Sequence, residues 1–574
     1  MRSKYIFRIR LLSLSFCLFA LVLVGKLYLV QIVSGNSYAE RADRQYAYPS
    51  QGIFDRGSIF FQDKEKNVIS AATLRSGFFI ALNPKLIEDA HDAYKKISAL
   101  FPLEEADFMA RAQKKNDSYE EVAHRVPADV GAKIHNLDIL GVSLYKENWR
   151  FYPGGSLAAQ TVGFLSYQTD GKTIAGSYGL EKQYDGTLTR NSDDAYVNFF
   201  AQIFSDFYKT LAQEEMLGGE GDITTTVEPS VQLHLEGVLK EIEGKWNSKL
   251  AGGIVIDPAT GAIYALASYP TFDLNRFGEV TKPGVFENPL VQSVFEMGSI
   301  IKPLSLAAGI DAGVVTAATT YNDTGTITLN GKTISNFDGK ARGIVDMQVV
   351  LNQSLNLGAT FVMQKLGRDI FSQYFYAYGL GQKTGVDLPG EVRGLVDTSL
   401  NSPRDIEHAN ASFGQGIGLT PMQTVRALSS LANGGTLPTP HVVESVRSTL
   451  GYTRNVSPPA GVRVIQPATS EAITKMLVNV VDKALAGGAV KLPHYSVAAK
   501  TGTAQIANPQ GGGYYTDRYL HSFFGYFPAY APRFLVFLFQ VEPQGAQYAS
   551  ATLTEPFMDM TKFLINYYAI PPDR

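Results

Sequence analysis

The sequence predicts an α+β fold in its C-terminal part, with one antiparallel sheet covered by helices. Residues 252–268 read GGIVID, PATG and AIYALAS, which indicates two apolar strands joined by a Pro/Gly turn. Residues 520–542 repeat this design as LHSFFGYF, PAYAP and RFLVFLFQVE, and several helical patterns lie between the two hairpins. Strands at both ends of a region with helices in the middle are typical of an α+β domain.

The last helix is predicted to begin at Glu555 and Pro556. Proline is tolerated in the first turn of a helix, because its missing N–H would have no intrahelical partner there. An apolar face follows with helical spacing, formed by Phe557, Met560, Leu564 and Tyr568.

Residues 34–225 have a different pattern of predicted secondary structure. It mixes strand-like runs such as SGFFIALNP with a charged stretch, 86–115, that is predicted to be helical. Loops around 153–155 and at 217–222 (LGGEGD) interrupt it. We therefore place a domain boundary near residue 225, with a second domain over 226–574.

The N-terminus has the pattern of a membrane anchor. Residues 1–10 carry four basic side chains and no acid, and residues 11–33 are almost entirely apolar. Such a run is long enough to cross a hydrocarbon layer of about 30 Å, and basic residues before a span favour a cytoplasmic N-terminus. A small-x-small cleavage site is missing, so the pattern favours an uncleaved transmembrane helix over a signal peptide. The remainder of the chain is expected outside the cytoplasm.

Composition excludes several classes of function. The chain has 574 residues and a net charge of -3, which gives no polycationic surface for nucleic acid. Cys17 is the only cysteine, so neither a disulfide within the chain nor a cysteine-rich metal site can form. The eight histidines include no helical i, i+4 pair and no HExxH motif, which argues against a zinc hydrolase. We expect no metal and no cofactor.

Ser299 and Lys302 form an SxxK pattern in the stretch FEMGSIIKPLSLAAG (295–309). Residues at i and i+3 are neighbours on one helical face, and Pro303 suits the first turn of a helix that begins here. A lysine that is desolvated, or close to a second cation, loses proton affinity and can accept the proton of a hydroxyl. The alternative interpretation is a helix-capping serine beside a solvated lysine.

Ser354 and Asn356 form a second pattern, SxN, in a short break between two helical patterns. One hydroxyl and one amide at this spacing can relay a proton and hold a substrate amide.

The stretch 500–503 (KTGT) follows YSVAA and is predicted to be an edge strand leading into the C-terminal hairpin. Side chains alternate in a strand, so Thr501 and Thr503 would share one face, while Lys500 would share the other with Gly502. A glycine at this position lets another part of the chain approach the strand closely.

Each pattern has imitators, and context separates them. The same spacings recur at 143–146, 34–36 and 399–401, and a partial KTG recurs at 383–385. Lys383 lies in the glycine-rich loop GLGQKTGVDLPGE, and the pattern at 399–401 lies in a polar loop. No single motif decides the function.

Taken in order, the three motifs resemble the active site of penicillin-binding proteins and serine β-lactamases. Five further segments resemble the class B penicillin-binding proteins: 51–61, 150–164, 176–188, 222–232 and 413–423. The first departs from the family pattern, which begins with arginine where Gln51 stands and reads DRNG where this chain has DRG. The resemblance implies a membrane-anchored D,D-transpeptidase with a non-catalytic, dimerisation-like pedestal (34–225) and a transpeptidase domain (226–574).

The resemblance also implies a mechanism. Ser299 would attack the carbonyl of a terminal D-Ala-D-Ala bond with Lys302 as its base, and backbone N–H groups of Ser299 and Thr503 would hold the oxyanion. Ser354 would pass the proton to the leaving amine.

Substrate would lie along the KTGT strand. Asn356 would bind its backbone, the hydroxyls of Thr501 and Thr503 would hold its terminal carboxylate, and Gly502 belongs to this binding strand. Lys500 would add positive charge that favours both the carboxylate and a neutral Lys302.

The implied partners are peptidoglycan stem peptides, β-lactams as covalent inhibitors, the bacterial cytoplasmic membrane, and cell-wall-synthesis proteins that include a membrane glycosyltransferase. Three alternatives stay open: a D,D-carboxypeptidase, a membrane-anchored β-lactamase, and an inactive scaffold or β-lactam sensor. The role in cell division or in elongation is likewise open.

Overall fold

The computed structural model describes residues 54–190 and 219–574, except 172, 450 and 512, together with Phe19 and Lys26. Apart from the latter two, the predicted tail (1–10) and transmembrane helix (11–33) lie outside the described residues. None of the helices in the described ranges combines the length and the apolar character that crossing a bilayer requires. The chain divides into two units.

The smaller unit contains, among the described residues, 54–55 and 74–149. Within it the strand Glu120–Pro127 pairs antiparallel with the second half of the strand Val68–Leu82, with Gly77 opposite Pro127. Its apolar core is built around Ile80, Ile97, Phe108 and Val126. Its other elements are the helices Ala90–Ser98, Glu105–Ala112 and Ala128–His135 and the strand Val142–Phe151 as far as residue 149.

The single helical stretch predicted over 86–115 is wrong in its continuity. The structure has two helices there, Ala90–Ser98 and Glu105–Ala112, separated by the sequence ALFPLE. Pro102 has no N–H for an intrahelical hydrogen bond, and the residue before a proline avoids the helical conformation. The chain therefore leaves the first helix before this proline and starts a second one after it.

The larger unit contains 56–73, 150–190 and 219–574 among the described residues, and it is built on a five-stranded antiparallel sheet. The predicted α+β class and both predicted hairpins are confirmed in it. In spatial order, beginning at an edge, the strands are Ala498–Ala507, Tyr514–Phe527, Phe534–Val541, Leu250–Ile256 and Ile263–Tyr269.

Helices cover both faces of this sheet. Every residue of the central strand Phe534–Val541 is buried, as its nearly continuous apolar sequence FLVFLFQV requires. On one face Phe523 and Leu538 pack against the helices Pro229–Trp246 and Ala549–Tyr567. On the other face Phe524 and Phe537 belong to the large core that also contains Ile300 and Leu304.

The remaining elements of the larger unit surround this sheet. Its other helices are Ala159–Val162, Gly179–Gln183, Asp185–Leu188, Phe277–Glu279, Pro283–Phe286, Pro289–Gln292, Gly298–Ile301, Lys302–Asp311, Met347–Asn352, Asn356–Leu366, Arg368–Ala377, Asp397–Leu400, Asp405–Ser412, Pro421–Ala432, Pro467–Asn479, Val480–Ala484 and Leu485–Gly488. Its other strands are Ile59–Gln62, Leu165–Tyr167, Ile174–Gly176, Gly221–Thr225, Thr320–Asp323, Thr326–Leu329, Lys332–Ser335, Gly343–Asp346, Thr436–Leu437, Val443–Ser448, Thr453–Asn455 and Val462–Arg463.

The predicted start of the final helix is wrong by six residues. The helix runs from Ala549 to Tyr567 with Pro556 in its interior. Thr552 and Leu553 are buried ahead of the proline, on the same side as Phe557, so the apolar face begins earlier than the proline suggests. Burial of this first turn offsets the hydrogen bond that the proline cannot make.

Candidate active site

Ser299 lies in a tight turn at the start of a helix, as its sequence context predicts. The turn is a 3-10 helix, Gly298–Ile301, which we call the nucleophile turn, and it leads directly into the helix Lys302–Asp311. Gly298 has a φ of +64°, and a Cβ there would lie 2.8 Å from the carbonyl oxygen of Thr503. Only glycine accommodates both conditions, so this residue fixes the turn against the KTGT strand.

Lys302 is fully buried and reaches both serines. Its Nζ lies 2.9 Å from Ser299 Oγ, 2.5 Å from the carbonyl oxygen of Ser354 and 3.2 Å from Ser354 Oγ. Burial, and secondarily the charge of Lys500, hold the pKa of Lys302 well below its usual value. A neutral amine at hydrogen-bond distance from a hydroxyl is the arrangement required of a general base.

Lys500 approaches Ser354 from the opposite side. Its Nζ donates hydrogen bonds to Ser354 Oγ at 3.0 Å and to the carbonyl oxygen of Thr501 at 2.9 Å. Burial lowers the pKa of Lys500 to about 7. Ser354 therefore sits between two amines whose protonation is tuned by burial, which is a suitable position for a proton relay.

The KTGT residues lie on an edge strand of the main sheet, Ala498–Ala507. A Cβ on Gly502 would lie 2.4 Å from Ser522 Oγ and 2.7 Å from the carbonyl oxygen of Met297. Ser522, which pairs with Gly502 on the neighbouring strand, donates a hydrogen bond to that same carbonyl at 2.8 Å. The glycine thus allows the nucleophile turn to pack directly on the strand.

An open cleft of about 1080 Å³ joins the predicted residues. Of the eight that the sequence indicates, the cleft is lined by Ser299, Ser354, Asn356, Lys500, Thr501 and Thr503. The other two are buried: Lys302 lies behind the two serines, and Gly502 lies beneath the nucleophile turn.

Asn356 and Thr503 also have protein partners. Asn356 donates its side-chain amide to the carbonyl oxygen of Ser335 at 2.8 Å. The Thr503 hydroxyl accepts a hydrogen bond from the backbone N–H of Ala549 at 3.0 Å. That contact leaves the hydroxyl proton of Thr503 available for donation toward the cleft.

The imitating motifs lie in other environments. The Lys383 side chain is exposed, and the neighbouring Thr384 is buried with its hydroxyl bonded to Glu391. Ser399 donates to the carbonyl oxygen of Gly416 at 2.5 Å. The pattern at 143–146 lies within the strand Val142–Phe151, where i and i+3 point to opposite faces. The contextual separation made from the sequence agrees with these positions.

Several residues of the cleft escape the sequence motifs. Phe337 and Tyr548 are 55% and 41% exposed, line the cleft, and meet edge-to-face with ring centroids 5.8 Å apart. Tyr548 immediately precedes the final helix, so placing that helix at Glu555 concealed it. The sequence gives no signal for either residue, because single exposed aromatic side chains are common on protein surfaces.

A carboxylate also lies close to the nucleophile. Glu296, three residues before Ser299, accepts a hydrogen bond from the Tyr514 hydroxyl at 3.2 Å, and burial raises the pKa of this glutamate. Tyr514 lines the cleft, so this contact links the nucleophile turn to the C-terminal hairpin. Within the described ranges, no group of His, Cys, Asp and Glu side chains is arranged to hold a metal ion.

This arrangement can carry out acyl transfer. A hydroxyl has a buried amine beside it as base, and a second hydroxyl stands between two amines as proton relay. A strand that carries two threonine hydroxyls borders the site. The elements that bring these groups together are far apart in sequence.

Comparison with known families agrees with the site. Residues 251–560 match the penicillin-binding protein transpeptidase domain, and residues 55–200 match the penicillin-binding protein dimerisation domain. The first match covers more than half of the chain and contains all eight residues of the site.

Individual relatives agree as well. Stage V sporulation protein D of Bacillus subtilis is 28% identical over 94% of this chain and 82% of its own length. The peptidoglycan D,D-transpeptidase FtsI of Escherichia coli K12 is 24% identical over 93% of this chain and 87% of its own length.

Solved structures share the fold. Penicillin-binding protein 2X of Streptococcus thermophilus has a TM-score of 0.72 at 19% identity, over 90% of this chain and 80% of that chain. Penicillin-binding protein 3 of Mycobacterium tuberculosis, complexed with aztreonam, has a TM-score of 0.68 at 23% identity, over 91% and 98%. The resemblance found in the sequence is confirmed, and the chain belongs to the penicillin-binding protein transpeptidase family, in its class B.

Proposed function

We propose that Ser299 is the acylated nucleophile of this enzyme and that Lys302 is its general base. The chain is a serine-type peptidoglycan D,D-transpeptidase, as its family membership implies. In the proposed reaction Ser299 Oγ attacks the D-Ala-D-Ala carbonyl while its proton moves to Lys302 Nζ. The observation that supports this most is the 2.9 Å contact between a buried amine and the serine hydroxyl.

The leaving group departs through the second serine. Ser354 receives the proton from Lys302 and gives it to the amine of the departing D-alanine, which becomes a neutral free amine. Lys500 supports this step because it donates to Ser354 Oγ at 3.0 Å and adds positive charge near the substrate carboxylate. Thr501 and Thr503 hold that carboxylate, Asn356 and Gly502 border the peptide backbone, and the N–H groups of Ser299 and Thr503 hold the oxyanion.

The acyl-enzyme is then attacked by an amine of a neighbouring stem peptide, which forms the cross-link. β-Lactams acylate Ser299 as substrate mimics. The reaction needs no cofactor. A pedestal over 34–225 carries the transpeptidase domain over 226–574, and an anchor at 11–33 places both outside the cytoplasmic membrane of a bacterium. There the enzyme works with a membrane glycosyltransferase and other cell-wall-synthesis proteins in division or elongation.

The test is to label the protein with a fluorescent penicillin and then to measure the rate at which the label is lost. We expect one label per molecule, retained for longer than the assay, and no label on Ser299→Ala. Ser399→Ala is the matched control, because this serine also belongs to an SxN pattern but donates to the Gly416 carbonyl oxygen and does not line the cleft. It should label as the native protein does.

Other outcomes decide among the alternatives. Rapid loss of the label would identify a β-lactamase, and absence of label on folded protein would identify a scaffold. With a stem pentapeptide donor and an amine acceptor, a transpeptidase forms the cross-linked product. Release of tetrapeptide alone would instead identify a carboxypeptidase.

A further inference from the structure

Ser354 is held in an unusual backbone conformation. Its φ is +55°, in the left-handed region that residues with a side chain rarely adopt. This conformation directs its carbonyl oxygen and its hydroxyl toward the same amine of Lys302. Strain of this kind persists only where the surrounding contacts impose it.

The helix that follows Ser354 has no cap of its own. Leu355 is the N-cap residue of the helix Asn356–Leu366 and makes no side-chain capping hydrogen bond. Asn336 supplies a cap from 21 residues away, because its Oδ1 accepts the backbone N–H of Leu357 at 3.3 Å. The preceding residue, Ser335, accepts the side-chain amide of Asn356 at 2.8 Å.

A buried carboxylate orients Asn336. Asp323 is fully buried, and its two oxygens lie 3.0 and 2.9 Å from Asn336 Nδ2. A carboxylate can only accept hydrogen bonds, so it requires the NH₂ end of the amide. The carbonyl end must then face the N–H of Leu357. Asp323 thereby determines which way the capping amide points.

The same carboxylate reaches the other flank of Ser354. Asp323 Oδ2 accepts the backbone N–H of Arg342 at 3.0 Å. The Nε of Arg342 donates to Gln353 Oε1 at 3.0 Å, and its guanidinium is paired with Asp338 at 2.8 Å. Gln353 directly precedes Ser354. Contacts that start at Asp323 therefore hold the residues on both sides of the serine.

We infer that Asp323, with Asn336 and Arg342, is a positioning clamp for Ser354 in the transpeptidase reaction. Asp323 touches none of the reacting atoms. It acts through the backbone on both flanks of Ser354, keeping the hydroxyl within reach of Lys302 and Lys500 while Ser299 is acylated and D-alanine or the β-lactam amine departs. This role rests on the proposed function of Ser299 and Ser354.

The test compares Asp323→Asn with the double variant Asp323→Asn/Asn336→Asp. In the single variant an NH₂ replaces one acceptor oxygen and faces a donor, either Asn336 Nδ2 or the N–H of Arg342. In the double variant the amide and the carboxylate have exchanged places. The new amide at position 323 then donates to the new carboxylate at position 336, which still accepts the N–H of Leu357.

Asp387→Asn is the matched control for the single variant. Asp387 also accepts two backbone N–H groups, those of Val442 and Val443. Asp387→Asn therefore makes the same chemical change, oxygen to NH₂, at a carboxylate that accepts backbone hydrogen bonds elsewhere in the larger unit.

Stopped-flow acylation with a chromogenic β-lactam separates non-covalent affinity from the acylation rate constant, and titration gives the fraction of active sites. For Asp323→Asn we expect the rate constant per active site to fall about tenfold or more while the dissociation constant changes by less than about threefold. The double variant should recover most of the rate, and Asp387→Asn should keep the native rate constant.

Two results would overturn the inference. One is an unchanged rate constant in Asp323→Asn with only the active fraction reduced, which is the result of a purely structural role. The other is a double variant as slow as the single one. Failure of the native protein to be acylated at all would instead reject the proposed function.

Discussion

At the scale of single residues, the proposed reaction requires Lys302 in its uncharged form, because only a neutral amine can accept the serine proton. The described hydrogen bonds of Lys302 go to two serine hydroxyls and one backbone carbonyl, not to a carboxylate. Burial and the nearby charge of Lys500 both lower its pKa. A base with a lowered pKa is active above that value and is lost as the pH falls through it. Acylation should therefore decline as the pH falls through the lowered pKa of Lys302.

Lys500→Ala tests this electrostatic coupling. Removal of the second amine removes a charge that lowers the pKa of Lys302, so that pKa rises and more of Lys302 is protonated at any given pH. We expect the acid limb of the pH profile of acylation to move to higher pH, and the rate at neutral pH to fall at least about tenfold. The measurement is the acylation rate constant across the pH range in which the native protein stays folded.

Lys383→Ala is the control for this variant, because Lys383 belongs to the imitating KTG pattern and is exposed. Its profile should match the native one. An acid limb that stays in place in Lys500→Ala would contradict the assigned coupling.

At this scale the sequence motifs indicate the residues that meet at the cleft, but they give no sign of the residues that position these side chains. The motifs have fixed spacing, so Ser299, Lys302 and Ser354 are visible in the printed chain. Asp323 and Asn336 have no such spacing, since their role depends on how two short strands fold beside a helix. The positive φ of Ser354 has no signal either, because a serine is not a residue type that favours it.

At the scale of elements, one contact sets the position of the nucleophile: the nucleophile turn packs on the KTGT strand at Gly502. We expect Gly502→Ala to push the turn away, because the new Cβ would meet Ser522 Oγ and the Met297 carbonyl. The expected loss of stability is about 1–3 kcal/mol, with acylation at least about tenfold slower.

The matched control is Gly237→Ala, on an exposed position of the helix Pro229–Trp246 where a Cβ meets no atom within 4 Å. It should be neutral or stabilising, since alanine is the better helix former. Thermal unfolding and β-lactam labelling of both variants make the comparison. Normal acylation by Gly502→Ala would show that the close packing is unnecessary.

The final helix gives a second prediction. Pro556 lies inside it and cannot donate a backbone hydrogen bond, so Pro556→Ala should stabilise the larger unit by about 1–3 kcal/mol. The check is urea-induced unfolding, with Glu555→Ala at the exposed neighbouring position as a control that changes little. A destabilised Pro556→Ala would mean that the proline ring contributes packing that outweighs the missing hydrogen bond.

Strands were easier to predict than helix boundaries. The hairpins at 252–268 and 520–542 have apolar runs bounded by turns, and their strands are found where the pattern puts them. Prolines do not mark helix boundaries reliably in this chain. Pro102 separates two helices that were predicted as one, whereas Pro556 lies inside a helix that was predicted to begin there. Whether a helix continues through a proline depends on the burial of the turn before it. A local sequence pattern does not contain that information.

At the scale of the whole molecule, a buried ionic cluster joins two stretches of the larger unit that are far apart in sequence. Glu181 is fully buried and accepts from Arg56 Nε at 2.8 Å and from Arg150 Nε at 2.6 Å. Both arginines are themselves nearly inaccessible to solvent. Arg56 is the arginine of the DRG stretch (55–57), where the family pattern reads DRNG. The departure from the family pattern therefore lies next to an arginine that is paired in the core.

Glu181→Ala should be strongly destabilising, because it takes the carboxylate from the buried Arg150 guanidinium and leaves Arg56 with only that of Asp185, at 2.9 Å. Removal of one partner from such a group costs about 3–5 kcal/mol. Glu471→Ala is the control, since Glu471 pairs with Lys475 in solvent and such pairs contribute little. Urea-induced unfolding gives both values. Equal stability of the two variants would contradict a structural role for the cluster.

In the proposed site, three distant segments of the chain, 299–302, 354–356 and 500–503, converge to activate one hydroxyl. The most direct test of this claim is mass spectrometry of the protein after incubation with benzylpenicillin, with the adduct located by digestion. We expect a single adduct on the peptide that contains Ser299, lost in Ser299→Ala and formed much more slowly in Lys302→Ala. An adduct on any other residue, or none on folded native protein, would contradict it.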